Sequence, residues 1–64
     1  MTFREMNDLF FSAWADEKGL IWGKPVALIY KMNQAAGGHD DAVDEALLAQ
    51  ELERCGLTLP GFTT

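Results

Sequence analysis

"LIWGKPVALIYKMNQAAGG", residues 20–38, decides the fold. It admits two readings. "VALIY" (26–30) suits a strand, and with "LIWGKP" (20–25) ahead of it a short hairpin is conceivable. A helix accounts for more of the stretch. Pro25 is well placed at a first helical position, where its missing N–H has no partner to lose. Val26, Leu28, Ile29, Met32 and Ala36 then gather on one side. Lys31 and Gln34 fall on the other, with Tyr30 near the boundary. Gly37-Gly38 supplies the stop. The pattern predicts a helix over 25–36.

Upstream, Thr2-Phe3-Arg4-Glu5 matches the capping box, and Met1 and Met6 stand at the positions of a hydrophobic staple. Phe3, Met6, Leu9, Phe10, Ala13 and Trp14 follow helical spacing, with Arg4, Glu5, Asp8, Ser12 and Asp16 opposite. Gly19 reads as the C-terminal stop, giving a helix over 3–18. Downstream, Asp40 or Asp41 reads as the N-cap of a helix over 41–55 that ends at Gly56. Pro60-Gly61 rules out helix in the tail, 57–64, where Leu57, Leu59 and Phe62 are expected to lie extended and help close the core. The expectation is one domain, residues 1–64: all-α, a compact three-helix domain with an extended apolar C-terminal tail.

With 64 residues, the chain buries only about 60% of its unfolded surface, so its stability margin is small. Cys55 is the single cysteine, which excludes an intrachain disulfide and a cysteine-rich zinc site. A free thiol fits a reducing compartment, most simply the cytoplasm. No signal-peptide pattern opens the chain, and no apolar run approaches the roughly 18 residues of a membrane span. Ten Asp and Glu against five Lys and Arg give a net charge of −5. That field disfavours direct binding to nucleic acid or an anionic membrane and favours a basic partner.

The charge concentrates in "GGHDDAVDEALLAQELERCG", residues 37–56. From His39 to Glu53 it holds six carboxylates, Asp40, Asp41, Asp44, Glu45, Glu51 and Glu53, and no Lys or Arg. A metal site centred on His39, Asp40, Asp41 and Asp44 is one reading, but a single imidazole beside carboxylates is a thin ligand set for zinc, and the calcium-loop pattern is absent. Catalysis by paired carboxylates needs a cleft that separates their pKa values. A Cys55–His39 pair needs opposite helix ends to meet. Neither a metal, a cofactor nor an enzymatic activity is expected. Glycines in "GGHDD" lack the Lys and Ser or Thr of a phosphate loop.

Two readings remain for the carboxylates: a solvated, capped helix, or a charged surface kept for a partner. Asp40, Asp44 and Glu51 align roughly on one side of the predicted helix. Carboxylates at i and i+4 lie about 6 Å apart, comparable to phosphates along a nucleic-acid strand. A helix shaped for stability alone would intersperse cations. Asp8, Asp16 and Glu17 extend the surface if the first helix packs alongside. Trp22, in a predicted loop, is either an interface anchor or a plug for the core, and Tyr30 has the same two readings.

In size and charge, and through the run "HDDAVDEALLAQELE", the chain resembles small phage-encoded inhibitors, the anti-CRISPR proteins and other acidic DNA mimics. No family motif matches residue by residue, so the resemblance implies a class of behaviour only. It implies a stoichiometric inhibitor, in the host-cell cytoplasm, that covers a basic nucleic-acid-binding cleft of a protein such as a CRISPR effector subunit. The alternative is a structural or assembly adaptor, or a homodimer. Leu48, Leu52 and Cys55 lie on a different side of the third helix from Val43 and Leu47, and an apolar side that a three-helix domain left uncovered would mark an interface or a homodimer.

Overall fold

Three helices form, α1 (Phe3–Trp14), α2 (Lys24–Ala36) and α3 (Glu45–Cys55). The structure, a computed structural model, describes residues 1–62. Among these residues the only β-type pairing is an isolated antiparallel bridge between Thr2 and Ala42. The fold is all-α, as expected, and the helical alternative for residues 25–36 holds.

α1 begins as predicted. The Thr2 hydroxyl accepts from the Glu5 N–H at 3.2 Å, and the Glu5 carboxylate accepts from the Thr2 N–H at 2.9 Å. The bond to the Thr2 amide is the main reason the Glu5 carboxyl titrates below its ordinary range. Phe3, Met6 and Phe10 are buried on the inner face. Trp14 packs edge-on against Phe10, with ring centroids 4.8 Å apart.

The expectation that α1 runs to residue 18 is corrected: it stops at Trp14. Asp16 explains the difference. One carboxylate oxygen accepts from the Lys18 N–H at 2.9 Å and the Leu20 N–H at 3.0 Å. The Asp16 N–H in turn donates to the Leu20 carbonyl at 2.8 Å. A short acidic side chain thus offers the backbone an alternative to further helical bonds. Gly19, at φ +77°, closes a turn on the Asp16 carbonyl and is not the helix stop.

α2 follows with Pro25 in its first turn and ends on Gly37, in the left-handed region at φ 87°. α3 differs more. Its N-cap is Asp44, not Asp40 or Asp41, and residues 41–44 are outside the helix. The segment 39–43 instead runs against the chain's start. The His39 and Asp41 carbonyls accept from the Arg4 and Phe3 N–H groups at 3.0 and 2.9 Å, and Val43 N–H donates to the Met1 carbonyl at 2.9 Å. The first N–H groups of a helix have no partner within it. Here a distant backbone segment satisfies two of them, so it is unavailable to α3. Gly56, at φ 70°, ends α3 as predicted.

The core gathers Phe3, Met6 and Phe10 from α1, Leu28 and Met32 from α2, Leu48 and Leu52 from α3, and Ile21, Val43 and Leu59 from the connections and tail. Full burial of Phe10, Met6, Met32 and Leu48 contributes about 1.5–3 kcal/mol per side chain before entropy is counted. Leu57 and Phe62 pack partly against this core. The tail is not extended throughout: Pro60 and Gly61 sit in a turn where Phe62 N–H donates to the Leu59 carbonyl at 3.2 Å. The tail's last two positions, 63–64, lie outside the described residues.

The two apolar sides of α3 are both covered. Val43, Leu48 and Leu52 are all buried, and Leu47 and Cys55 are half-buried. Among the described residues the core and tail cover both apolar sides of α3, so its leucines offer no uncovered face.

Candidate functional site

The acidic stretch does not form one continuous charged helix face. Asp40 and Asp41 precede α3 altogether. Asp44 is its N-cap, with a carboxylate oxygen 3.0 Å from the Leu47 N–H. The Glu45 carboxylate meets the Met1 ammonium at 2.6 Å. Asp40 pairs with the Arg4 guanidinium at 3.4 Å, both side chains well exposed, a geometry of little energetic weight.

Glu51 departs furthest from expectation. It is 5% exposed and is the buried charged side chain of the domain among the described residues. One oxygen takes the Lys31 ammonium of α2, and the other takes the Arg54 Nη2 at 2.6 Å and Nε at 2.9 Å. Lys31 first and Arg54 second hold the Glu51 carboxyl below its ordinary range against the opposing effect of burial. The absence of cations from 39 to 53 therefore does not leave Glu51 uncompensated. One partner stands on another helix and the other one residue past that window.

Among the described residues, the carboxylates of Asp8, Glu17, Asp41 and Glu53 have neither ion-pair nor hydrogen-bond partners and are exposed. They are dispersed: Asp8 on α1, Glu17 in the following turn, Asp41 before α3 and Glu53 near its end.

His39 packs on the core rather than among other potential ligands. Its ring lies edge-on to Phe3, centroids 5.2 Å apart, and no group of three potential ligands converges among the described residues. Cys55 and His39 belong to opposite ends of α2. The Cys55 carbonyl accepts from Lys24, the first residue of α2, at 3.4 Å, whereas His39 follows its last turn. Thirteen helical residues separate them, about 20 Å.

The exposed feature that the sequence left undecided is apolar. Trp22 is 68% and Tyr30 67% exposed, and Phe11 and Leu20 are exposed to a lesser degree, 40% and 45%. Trp22 is therefore not a core plug. Phe11, Leu20 and Tyr30 converge. An open trough of about 390 Å³ is lined by Asn7 and Phe11 of α1, Leu20 and Ile21 of the connection, and Val26, Ile29 and Tyr30 of α2. Leu20 also lines the neighbouring depression, with Asp16, Glu17, Lys18 and Trp22.

The indole is held rather than loose. Trp22 Nε1 donates to Asp16 Oδ2 at 2.9 Å, on the carboxylate whose other oxygen organises the turn. Those bonds, from Leu20 first and the Trp22 indole next, lower the Asp16 pKa and keep it ionised. Asp16 was expected in an acidic surface. It acts locally as the acceptor that fixes the turn and the tryptophan. Helical periodicity cannot locate this face, because half of it comes from the non-helical connection 15–23. The available signal was composition: Trp22 sits between Ile21 and Gly23 just before a helix.

Among the described residues, no helix is long and apolar enough to cross a membrane. Comparison with family models, with curated proteins and with solved structures gives no match.

Proposed function

We propose that this chain is a small acidic binding protein that occupies a basic, nucleic-acid-binding surface of a partner protein. It docks through the aromatic face between α1 and α2, and it acts by occupancy, without chemistry or cofactor. The carrying observation is that exposed Phe11, Leu20 and Tyr30 line one trough and exposed Trp22 lines the adjoining depression that shares Leu20 with it. Trp and Tyr dominate interface hot spots because they bury large area with few rotatable bonds. Net charge −5 steers encounter toward a basic partner. Anti-CRISPR proteins and other acidic inhibitors belong to this functional class, and a CRISPR effector subunit is one partner of the right chemistry. The single free thiol of Cys55 suits the cytoplasm as the place of action.

A pull-down from host lysate at low and high salt tests this. Trp22→Ala/Tyr30→Ala and Asp40→Lys/Asp41→Lys chains serve as comparison baits. A basic nucleic-acid-binding protein captured at low salt, lost with the aromatic double variant and weakened by the charge reversal, supports the reading. Capture that ignores Trp22 and Tyr30 refutes the docking face. A captured partner with no basic nucleic-acid surface refutes the occlusion.

The same exposed aromatic face also favours a second reading, an assembly adaptor or homodimer. Sedimentation over a range of concentrations distinguishes it. Self-association abolished by Tyr30→Ala selects the dimer.

A further inference from the structure

We infer that the trough between α1 and α2 receives an amphipathic helix whose apolar stripe is flanked by Lys or Arg. The inference rests on the aromatic face being the docking surface and names what docks there.

Helical phase around α2 carries the first step. Successive residues turn by roughly 100°, so Val26, Ile29 and Tyr30 project to one side and Lys31 nearly opposite. Lys31 bonds Glu51 of α3, which fixes α3 on that side. Val26, Ile29 and Tyr30 line the trough with Phe11 of α1. α2 is thus covered by α3 on one side, while its other side forms an open valley with α1. A valley between two packed helices is what the side-chain ridge of a further helix fits. In recognition this is the helix-in-groove mode, read through anchors at i, i+3, i+4 and i+7.

Charge carries the second step. Asp8 is one turn before Phe11 on α1, and Glu17 lines the depression that shares Leu20 with the trough. Both carboxylates are unpaired among the described residues. Of the five cations, Lys31 and Arg54 bind Glu51, Arg4 faces the exposed Asp40 and Lys24 the Cys55 carbonyl, each at 3.4 Å. The depression adjoining the trough carries Asp16 and Glu17 against Lys18 as its one cation. A second copy of this chain would bring another net −5 to the contact, which disfavours self-association. A cationic flank gains from the same field.

The test uses the full chain and three synthetic helical peptides that share one Leu/Ala stripe and carry Lys, Gln or Glu flanks. Calorimetry gives affinity, and amide and indole NMR shifts give location. The Lys-flanked peptide should bind at least tenfold more tightly than the Glu-flanked one and shift signals of Phe11, Leu20, Trp22 and Tyr30. Asp8→Lys/Glu17→Lys, both at exposed positions, should reverse the preference. Equal binding of all three peptides at those residues overturns the cationic class and leaves the docking face standing. No binding by any peptide overturns the helix as occupant. If peptide-free sedimentation then finds Tyr30-dependent dimers, the second copy takes its place and the face survives. If it finds none, the face falls too.

Discussion

Asp44 separates a structural carboxylate from one kept for a partner. It caps α3: its carboxylate accepts from the Leu47 N–H, and its own carbonyl accepts the first helical bond, from Leu48, at 2.9 Å. Asp44→Ala removes the side-chain acceptor and leaves the Leu47 N–H to water. Loss of such a cap costs about 1 kcal/mol. Unfolding entropy near 2.1 cal/mol/K per residue over 64 residues gives about 0.13 kcal/mol/K. The expected fall in Tm is therefore about 7 °C, a large share of a small domain's margin. Asp44→Asn keeps an acceptor oxygen in place and removes the charge, and Asn caps about as well as Asp. It should lose only a few tenths of a kcal/mol, or about 2–3 °C, from the weaker interaction with the helix dipole. Far-UV circular dichroism melts of the three proteins measure this. An Asp44→Ala melt equal to wild type, or an Asp44→Asn melt as low as Asp44→Ala, refutes the capping argument. If Asp44→Asn keeps stability but loses partner binding, the charge itself has a binding role.

Glu51 should govern part of the acid limb. Its folded pKa lies below the ordinary 4.5, so its contribution is present above that value and is lost as pH falls through the folded pKa. Urea midpoints from pH 7 down to pH 3 should fall less steeply in Glu51→Gln than in wild type, although Glu51→Gln starts lower at pH 7; equal slopes refute the ion-pair account. Trp22→Ala should alter stability by no more than about 0.5 kcal/mol, as expected of an exposed side chain, while abolishing partner capture; a large loss in the melt refutes the view that Trp22 is spare to the fold. Gly61→Ala meets two obstacles, φ +87° and an added Cβ 3.0 Å from Leu9 Cδ2. It should destabilise by about 1–2 kcal/mol, read as a lower urea midpoint, and an unchanged midpoint refutes the tail's contribution to packing.

Much of the fold was legible. Thr2 and Glu5 specify a local motif complete within four residues, and it forms as read. Gly37 and Gly56 mark their helix ends because each adopts the left-handed conformation that ends a helix. Both misread boundaries involve competition that periodicity does not register. Asp16 draws backbone N–H groups into its own turn, and the 39–43 backbone bonds to α1. The candidate site was less legible for the same reason. Compensation of Glu51 by Lys31 is a tertiary fact, twenty residues apart. The exposure of Trp22 depends on where a loop turns, which neither period encodes.

The pairing of residues 1–4 with 39–43 inverts the usual dynamics of a helix end. First-turn amides are ordinarily among the fastest to exchange with solvent, because nothing but water holds them. At Phe3 and Arg4 exchange requires a segment some forty residues away to peel off, so these amides should report a cooperative opening rather than fraying. The opposite end of α1 is held locally: Ala15 N–H donates to the Phe11 carbonyl at 3.2 Å, and the Asp16 N–H donates to the Leu20 carbonyl at 2.8 Å. The two ends of α1 should therefore open independently, the first only with the distant 39–43 segment and the second with the Asp16 turn that also carries the Trp22 indole.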